Sequence, residues 1–396
     1  MVLIGCASET VRPAKVALPA AYEAPASSQD VRPSPVVLDR WWTLYDDEQL
    51  TGLVDTALAG APDAEAAKAR LREALGVRDG ALTGYGPQGD INGQVASTKS
   101  RQLSGNVVSI PGLPPGTGFS GQSDSRTGSA SLNVSWELDL FGRRRAARQS
   151  ADADLAAAHF DAAASRASLA ANVADALFAA RGLAIQLEDA RETARITRTL
   201  AESAHAKLEQ GLVASSDADQ ARAEAAQAEA QVDDLRGQLQ TARRSLLILV
   251  GRGTDPLAGL EVPASAGLPP AVPAAVPGEL LARRPDVREA AERLRSEAGA
   301  LKLDELALLP TVKLIPNADV SKLEQTGFSS ATAAWSVGAG LLMPLLSRPR
   351  LMAQLHAQGA KADLAVVTYE KTVQIAFGEA ENALAQLAED RARTWC

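Results

Sequence analysis

The sequence predicts a mainly α-helical protein with membrane-competent β-strands, built from a duplicated unit in which a strand pair is followed by a long helical hairpin. Three observations predict it. From Ser131 to Leu140 apolar and polar residues alternate strictly, which is the pattern of a two-faced strand. From Arg145 to Gly211 a helical pattern continues with no proline and no glycine pair, enough for a rod of about 100 Å at 1.5 Å per residue. The second half of the chain then repeats the first at a fixed offset of 223 residues.

Composition agrees with thin, helix-on-helix packing. Hydrophobic residues make up 46% of the 396 and aromatics only 4%, so the apolar content is largely alanine, leucine and valine. Such side chains bury narrow seams between neighbouring helices rather than a thick aromatic core. The net charge of −8 excludes a nucleic-acid partner, since phosphate binding needs a basic surface. No run approaches the roughly 20 apolar residues of a membrane-spanning helix, so any membrane crossing falls to strands.

The N-terminal segment is read as 1–40. Leu3-Ile4-Gly5-Cys6 resembles a bacterial lipobox, in which small residues give a peptidase access to the bond before an acylated cysteine, and Cys6 is the predicted lipid anchor. A full signal also needs a basic region and a longer apolar stretch, so the reading predicts a longer leader than Met1–Gly5. Ala7 to Pro35 is rich in Pro, Ala and Ser and is expected to be an extended tether.

The first repeat is read as 41–260. A helix begins around Asp46 to Gln49 and breaks at Gly60-Ala61-Pro62. It restarts at Pro62, with proline in the first turn and acidic residues at the positive end, and runs to about Leu82. A strand is expected at about 87–97, then an exposed Gly/Ser/Pro/Thr loop between Ser97 and Gly128. In the strand at 131–140, Leu132, Val134, Trp136, Leu138 and Leu140 share one face, and its length suits a tilted crossing of a bilayer. The helical hairpin spans about 145–250. Its tip lies at Gly211, Leu212, Val213, Ser215 and Ser216, with Gly211 at the left-handed helix end and Ser216 with Asp219 starting the return helix.

The second repeat is read as 261–396. Pro62-Asp63 recurs as Pro285-Asp286, and at the same offset Leu58, Ala59, Ala67, Arg70, Leu71, Arg72, Gly76 and Pro87 match Leu281, Ala282, Ala290, Arg293, Leu294, Arg295, Gly299 and Pro310. Shared identities at one offset mark a duplicated architecture. The order follows: a helix at 277–307, a strand at 311–322, a short turn around Thr326 to Ser330, and a strand at 335–345. On the last strand Trp335, Val337, Ala339, Leu341, Met343 and Leu345 lie on one side. A second long helix begins near Arg350. By analogy with the first copy it is expected to run about 20 residues past Cys396 before a turn and return helix. Four strands cannot close a membrane barrel, and open edges are not tolerated in lipid. The barrel must therefore be shared between chains, two of which supply eight strands and three twelve.

Bond chemistry finds no support. Gly84-Tyr85-Gly86-Pro87-Gln88-Gly89 matches a dinucleotide motif by letters, but it contains proline and opens no helix, so it reads as a glycine-rich strand edge. His159, His205 and His356 are scattered along helices without a second ligand four residues on, and Cys6 and Cys396 have no partner at metal spacing. No catalytic residue, metal or cofactor is expected. Arg143, Arg144 and Arg145 follow a strand directly and read as a membrane-to-periplasm junction.

The organisation and several motifs resemble the TolC-like outer-membrane factor family, in its lipoprotein branch serving resistance-nodulation-division efflux pumps. The resembling residues are Leu3 to Cys6, Trp41-Trp42-Thr43-Leu44-Tyr45-Asp46-Asp47, Trp136-Glu137-Leu138-Asp139-Leu140-Phe141-Gly142 and Leu280-Leu281-Ala282-Arg283-Arg284-Pro285-Asp286-Val287. The resemblance implies a homotrimer with a 12-stranded outer-membrane β-barrel continuous with a 12-helix periplasmic α-barrel, anchored to the outer membrane by a lipid-bearing, palmitoylated cysteine. It also implies a periplasmic adaptor (membrane fusion) protein and an inner-membrane resistance-nodulation-division transporter as partners, docked at hairpin tips such as Gly211 to Ser216. Function would be passive conduction of drugs or other small toxic compounds. Alternatives are a type I secretion duct and a periplasmic coiled-coil scaffold or adaptor.

Overall fold

A computed structural model of the chain describes residues 10–23, 40–101, 122–265, 267, 277–325 and 328–394. Cys6, the distal part of the tether, the middle of the Ser97–Gly128 loop and part of the Thr326–Ser330 turn lie outside the described residues. The chain divides into two compact units: one of residues 1–13, 76–154 and 293–366, and one of residues 14–75, 155–292 and 367–396.

The first unit is organised by a four-stranded antiparallel sheet in the order β1 (Gln88–Arg101), β2 (Gln122–Leu138), β3 (Thr311–Gln325), β4 (Phe328–Leu342). Each strand pair comes from one repeat, and the register joins the two copies through β2 and β3, with Leu132 opposite Ala318 and Trp136 opposite Leu314. Two expectations are corrected. Strand β2 starts at Gln122 rather than near Ser131, because the Ser- and Gly-rich stretch before it has a long partner strand to satisfy its backbone groups. It also ends at Leu138, so Leu140 is not a strand residue. The chain turns there, the Leu140 N–H reaching the Leu138 carbonyl at 3.0 Å and Gly142 taking φ +82°. The second copy makes the same turn, Leu345 N–H to Met343 carbonyl at 2.9 Å, so Met343 and Leu345 also lie beyond β4.

Helices bring the chain to and from this sheet. Helix α2 (Pro62–Thr83) enters β1, and its repeat partner α6 (Pro285–Leu306) enters β3. Both run for 22 residues, and both start 223 residues apart, as the sequence offset requires. Long helices leave the sheet: α3 (Arg143–Glu209) and α7 (Arg348–Thr394). Within this unit Gly299 of α6 passes close to Ser150 of α3; a Cβ on the glycine would lie 2.9 Å from the Ser150 nitrogen. The Ser150 hydroxyl donates to the Ser296 carbonyl at 3.1 Å. A small apolar cluster of Leu301, Leu355 and Ala362 packs beside this crossing, with Val11 of the N-terminal segment against it.

The second unit is helical. After a 3-10 turn at Trp41–Tyr45, α1 (Glu48–Gly60) packs on α3 and on α4 (Ser215–Leu249). Its core holds Trp42, Leu50, Val54, Leu177, Leu246, Leu247 and Val250, all buried. Removing a fully buried leucine such as Leu50 or Leu177 is expected to cost about 2–5 kcal/mol. Along the hairpin, burial falls at Leu187 and Ala194 on α3 and at Ala218, Ala225 and Val232 on α4. These seven-residue intervals are the coiled-coil seam that lets two long alanine-rich helices pack closely. The expected helix at 277–307 is in fact two, α5 (Pro277–Arg283) and α6, broken at Arg284. The residue before proline is disfavoured in helical geometry, and Arg284 precedes Pro285.

The N-terminal segment within residues 10–23 forms neither helix nor strand, and it is docked. Its Lys15 N–H donates to Glu370 of α7 at 2.8 Å, Val16 joins the cluster of Leu281, Val287, Val373 and Ala376, and Tyr22 stacks on Phe377 at 5.5 Å.

Candidate functional site: a membrane sheet and a hairpin tip

Side chains alternate across a strand, so the register sorts every strand residue onto one of two faces. One face carries Ile91 and Val95 of β1, Leu132, Val134, Trp136 and Leu138 of β2, Val312, Leu314 and Val320 of β3, and Trp335, Val337 and Leu341 of β4. The other carries Asp90 and Asn92, Ser129, Ser131 and Asn133, Asn317 and Asp319, and Thr332 and Ser336. Glu137 and Lys313 lie opposite each other in the register on this face. Seven of the eight strand residues expected on the apolar face are therefore brought onto it, and Leu140 is not.

Most of these apolar side chains are exposed, while Val134, Leu138, Val312 and Leu314 near the helix-bearing end are half-buried. Trp335 is 80% exposed, Leu341 72% and Ile91 79%, whereas leucines in the helical core are fully buried. A contiguous apolar face of this kind marks an interaction surface. Its span fits a bilayer: from the row of Leu138, Val312 and Leu341 to the row of Val95 and Gly128, where Lys322 brings the first charge at the rim, there are five two-residue steps. That is about 33 Å along the strands, and about 25 Å at the tilt of outer-membrane barrels. Strands β1 and β4 are edges, and each leaves a full row of backbone donors and acceptors to be paired.

At the junction with α3, Arg143 pairs with Glu137 at 2.9 Å, so one of the three junction arginines ties strand end to helix start. The glycine-rich segment before β1 ends α2 in a turn, the Gly86 N–H donating to the Thr83 carbonyl at 2.9 Å. His205 lies exposed beside Glu209 at 3.6 Å, and His159 stands edge-on to Phe160.

The expected hairpin tip is formed by Gly211 to Ala214. Gly211 takes φ +70°, its N–H reaches the Leu208 carbonyl at 2.8 Å, and the Leu212 N–H reaches the Lys207 carbonyl at 2.9 Å. This closed helix end presents Leu212, which is 67% exposed. The start of α4 differs from expectation. The helix begins at Ser215 after Ala214, with no side-chain cap, and the Ser216 hydroxyl pairs with Asp217 at 3.3 Å instead of capping.

Sequence reasoning missed two ion-paired anchors in the helical unit. Asp47 caps α1, accepting from the Leu50 N–H at 3.0 Å, and also accepts from Arg181 of α3, whose Nη2 lies 3.2 Å from Asp47 Oδ1 and 2.8 Å from Gln49 Oε1. The Arg181 hydrogen bonds outweigh the effect of burial and hold the Asp47 carboxyl below its ordinary range. In the second copy Arg284 bonds Asp286 at 2.7 Å and Glu379 of α7 at 2.7 Å. Burial pushes Asp286 up, but the bonds and charge of Arg284 and the Val287 N–H together hold it down.

A sheet with one lipid-compatible face, one polar face and two open edges, served by helices much longer than a bilayer is thick, has the features of the outer-membrane channel class. A family profile described as outer membrane efflux protein matches residues 53–252 and 276–394. The chain belongs to the outer membrane efflux protein family. Among curated proteins it is 31% identical over 324 residues to the fusaric acid resistance protein FusA of Burkholderia cepacia, covering 81% of this chain and 59% of that protein's length. It is 28% identical over 403 residues to the pyoverdine export outer membrane protein OpmQ of Pseudomonas putida, covering 99% and 82% of the two. Among solved structures, the outer-membrane channel OprN aligns with a TM-score of 0.77 at 27% identity, covering 97% of this chain and 84% of that one. The family and these structures place the chain in the outer membrane, with its helices extending into the periplasm.

Proposed function

We propose that the chain is the outer-membrane channel subunit of a tripartite efflux pump, a passive exit duct for small toxic compounds driven by an inner-membrane transporter. The observation that carries this reading is the register, which puts an apolar band on one face of a four-stranded sheet and a polar lining on the other while leaving both edges open. The edges are compatible with one another: β1 and β4 run in opposite directions, so β4 of one copy continues the antiparallel order into β1 of the next. Three copies supply twelve strands and close the barrel without an edge. No residue performs bond chemistry; selectivity is a matter of lining and width.

The remaining assignments follow from the same reading. Cys6 carries the acyl anchor, and the hairpin tip at Gly211, Leu212, Val213, Ser215 and Ser216 docks a periplasmic adaptor protein, which couples the duct to a resistance-nodulation-division transporter. Relatives named for fusaric acid resistance and pyoverdine export favour a compound exporter over a type I secretion duct. Expression of the complete gene with its own leader tests this: heat-labile, detergent-resistant trimers in the outer-membrane fraction are expected, and soluble periplasmic monomers overturn it. Trp335→Asp on the apolar face is expected to abolish insertion, whereas Ser336→Asp on the polar face leaves it intact.

A further inference from the structure

The apolar face does not end in neutral residues. At the loop-bearing ends of the strands it becomes charged, with Lys99 on β1, Asp124 and Arg126 on β2, and Lys322 and Glu324 on β3. The opposite face at the same rows holds Thr98, Ser125, Thr127, Leu323 and Gln325, with no charge among the described residues. Charges placed only to keep loop ends in water would fall on both faces. Their confinement to the lipid-side face calls for a partner on that side.

The cations are arranged in a line. Arg126 lies opposite Glu324 on one neighbour strand and opposite Ser97 on the other, so Lys322 and Lys99, each two residues along, are its diagonal neighbours. Diagonal positions across paired strands stand about 7–8 Å apart, within the reach of these long side chains. The two lysines already have acids beside them, Lys99 with Asp124 at 3.8 Å and Lys322 with Glu324 at 2.6 Å. Both pairs are exposed, and such pairs are weak and easily exchanged. Arg126 is exposed, and its facing acid, Glu324, feels its charge without closing on its guanidinium donors among the described contacts. Glu324 is bonded by Lys322 instead, so the guanidinium donors between the two lysines offer a fork for a phosphate oxygen pair, with point charges on either side.

We propose that Lys99, Arg126 and Lys322 form a headgroup contact for a phosphorylated glycolipid of the outer leaflet. The inference rests on the barrel reading above, because that reading turns this face to lipid and this end outward. The opposite end of the same face is built differently, with Trp136 as an interfacial aromatic and no comparable row of cations on that face among the described residues. The protein thus meets two unlike leaflets with two unlike belts.

The test uses purified, assembled wild-type protein and the Lys99→Gln/Arg126→Gln/Lys322→Gln variant in phosphatidylethanolamine vesicles, with and without lipid A or phosphatidylglycerol. Lipid retained after detergent exchange is measured by mass spectrometry. Wild type is expected to retain lipid A, in a manner weakened by salt, and the triple variant to retain it roughly a hundredfold less, since each cation near a charged surface contributes about 1 kcal/mol. Equal retention by the variant overturns the proposal, and equal retention of phosphatidylglycerol by wild type overturns the choice of a phosphorylated glycolipid. Insertion into plain phosphatidylethanolamine vesicles separates this from the barrel reading: loss of insertion by wild type defeats the barrel, whereas a lost lipid A difference defeats only the belt. Should the triple variant fail to assemble, Asp124→Asn/Glu324→Gln is expected to raise lipid A retention, and no rise overturns the proposal.

Discussion

The two repeats break their entering helix at equivalent positions, Ala61 and Arg284, and secure the neighbourhood by different means. In the first copy Ala61 is buried as one of sixteen apolar core residues, and Gly251 at φ +78° lets the end of α4 come so close that a Cβ there would sit 3.1 Å from the Ala61 Cα. The charged anchor lies at the other end of α1, where Arg181 with its side chain 7% exposed holds Asp47. In the second copy the break itself is charged, and Arg284, Asp286 and Glu379 are 27%, 38% and 58% exposed. The apolar cluster there has four buried members. Duplication preserved the backbone plan, while its stabilisation moved from burial to half-solvated ion pairs.

The largest expected effect follows from that contrast. Arg181→Ala leaves a half-buried carboxylate without its charged partner, though still bonded by the Leu50 N–H, a change expected to cost up to about 3 kcal/mol. Chemical denaturation followed by helical circular dichroism reads it. Replacing both partners, Arg181→Met with Asp47→Leu, is expected to restore a large part of the loss. A double variant as unstable as the single would show that Asp47 acts chiefly as the α1 cap.

The repeat supplies an internal control in the other unit. Gly76 and Gly299 are equivalent by sequence, yet a Cβ at Gly299 meets Ser150 and one at Gly76 meets nothing within 4 Å. Gly299→Ala is therefore expected to destabilise by about 1–3 kcal/mol through overpacking. Gly76→Ala is expected to stabilise by up to about 1 kcal/mol through helix propensity. If Gly76→Ala instead destabilises only the assembled protein, then α2 faces another copy at that position.

Much of this was legible before the structure. The offset in the sequence fixes the paired α2 and α6 and the starts of β1 and β3, because Pro62 and Pro285 mark their turns unmistakably. The break at Arg284 was missed in the reading of a single helix at 277–307, although Pro285 aligns with Pro62, which begins the second helix of the first copy, and the same sterics apply. The early start of β2 was not legible, since Ser, Gly and Thr carry no periodic signal until a partner strand gives them one. Nor was Arg181, one arginine among many on an alanine-rich helix, whose role depends on a partner 134 residues away.

Acid separates the two anchors by a smaller margin. Asp47 and Asp286 are both held below the ordinary carboxylate range. Each therefore contributes stability that is present above the unfolded-state value of about 4 and lost as pH falls through the lower folded value. Asp304, raised by burial, has the opposite sign: its cost at neutral pH is relieved on acidification. Arg284→Ala is expected to cost about 1–2 kcal/mol at neutral pH, less than Arg181→Ala, and to flatten part of the acid limb. An acid limb unchanged in both Asp47→Asn and Asp286→Asn would assign the acid sensitivity elsewhere.

The smallest effect on stability is expected at the hairpin tip, and there it is the more informative. Leu212 is 67% exposed and Leu235 on the same hairpin only 6%, so the two leucines differ in surroundings more than in kind. Leu235→Asp places a charge in the helix seam and is expected to cost several kcal/mol. Leu212→Asp changes an exposed turn residue whose backbone is held by Gly211, and is expected to stay within about 0.5 kcal/mol of wild type. If the tip docks an adaptor, Leu212→Asp nevertheless abolishes efflux-dependent resistance in cells while leaving trimer yield unchanged. A lowered melting point would mean that Leu212 is packed in the assembled protein. Unchanged melting with unchanged resistance would remove the tip from the docking surface, because an aspartate there could not be accommodated by a partner that covers an apolar side chain.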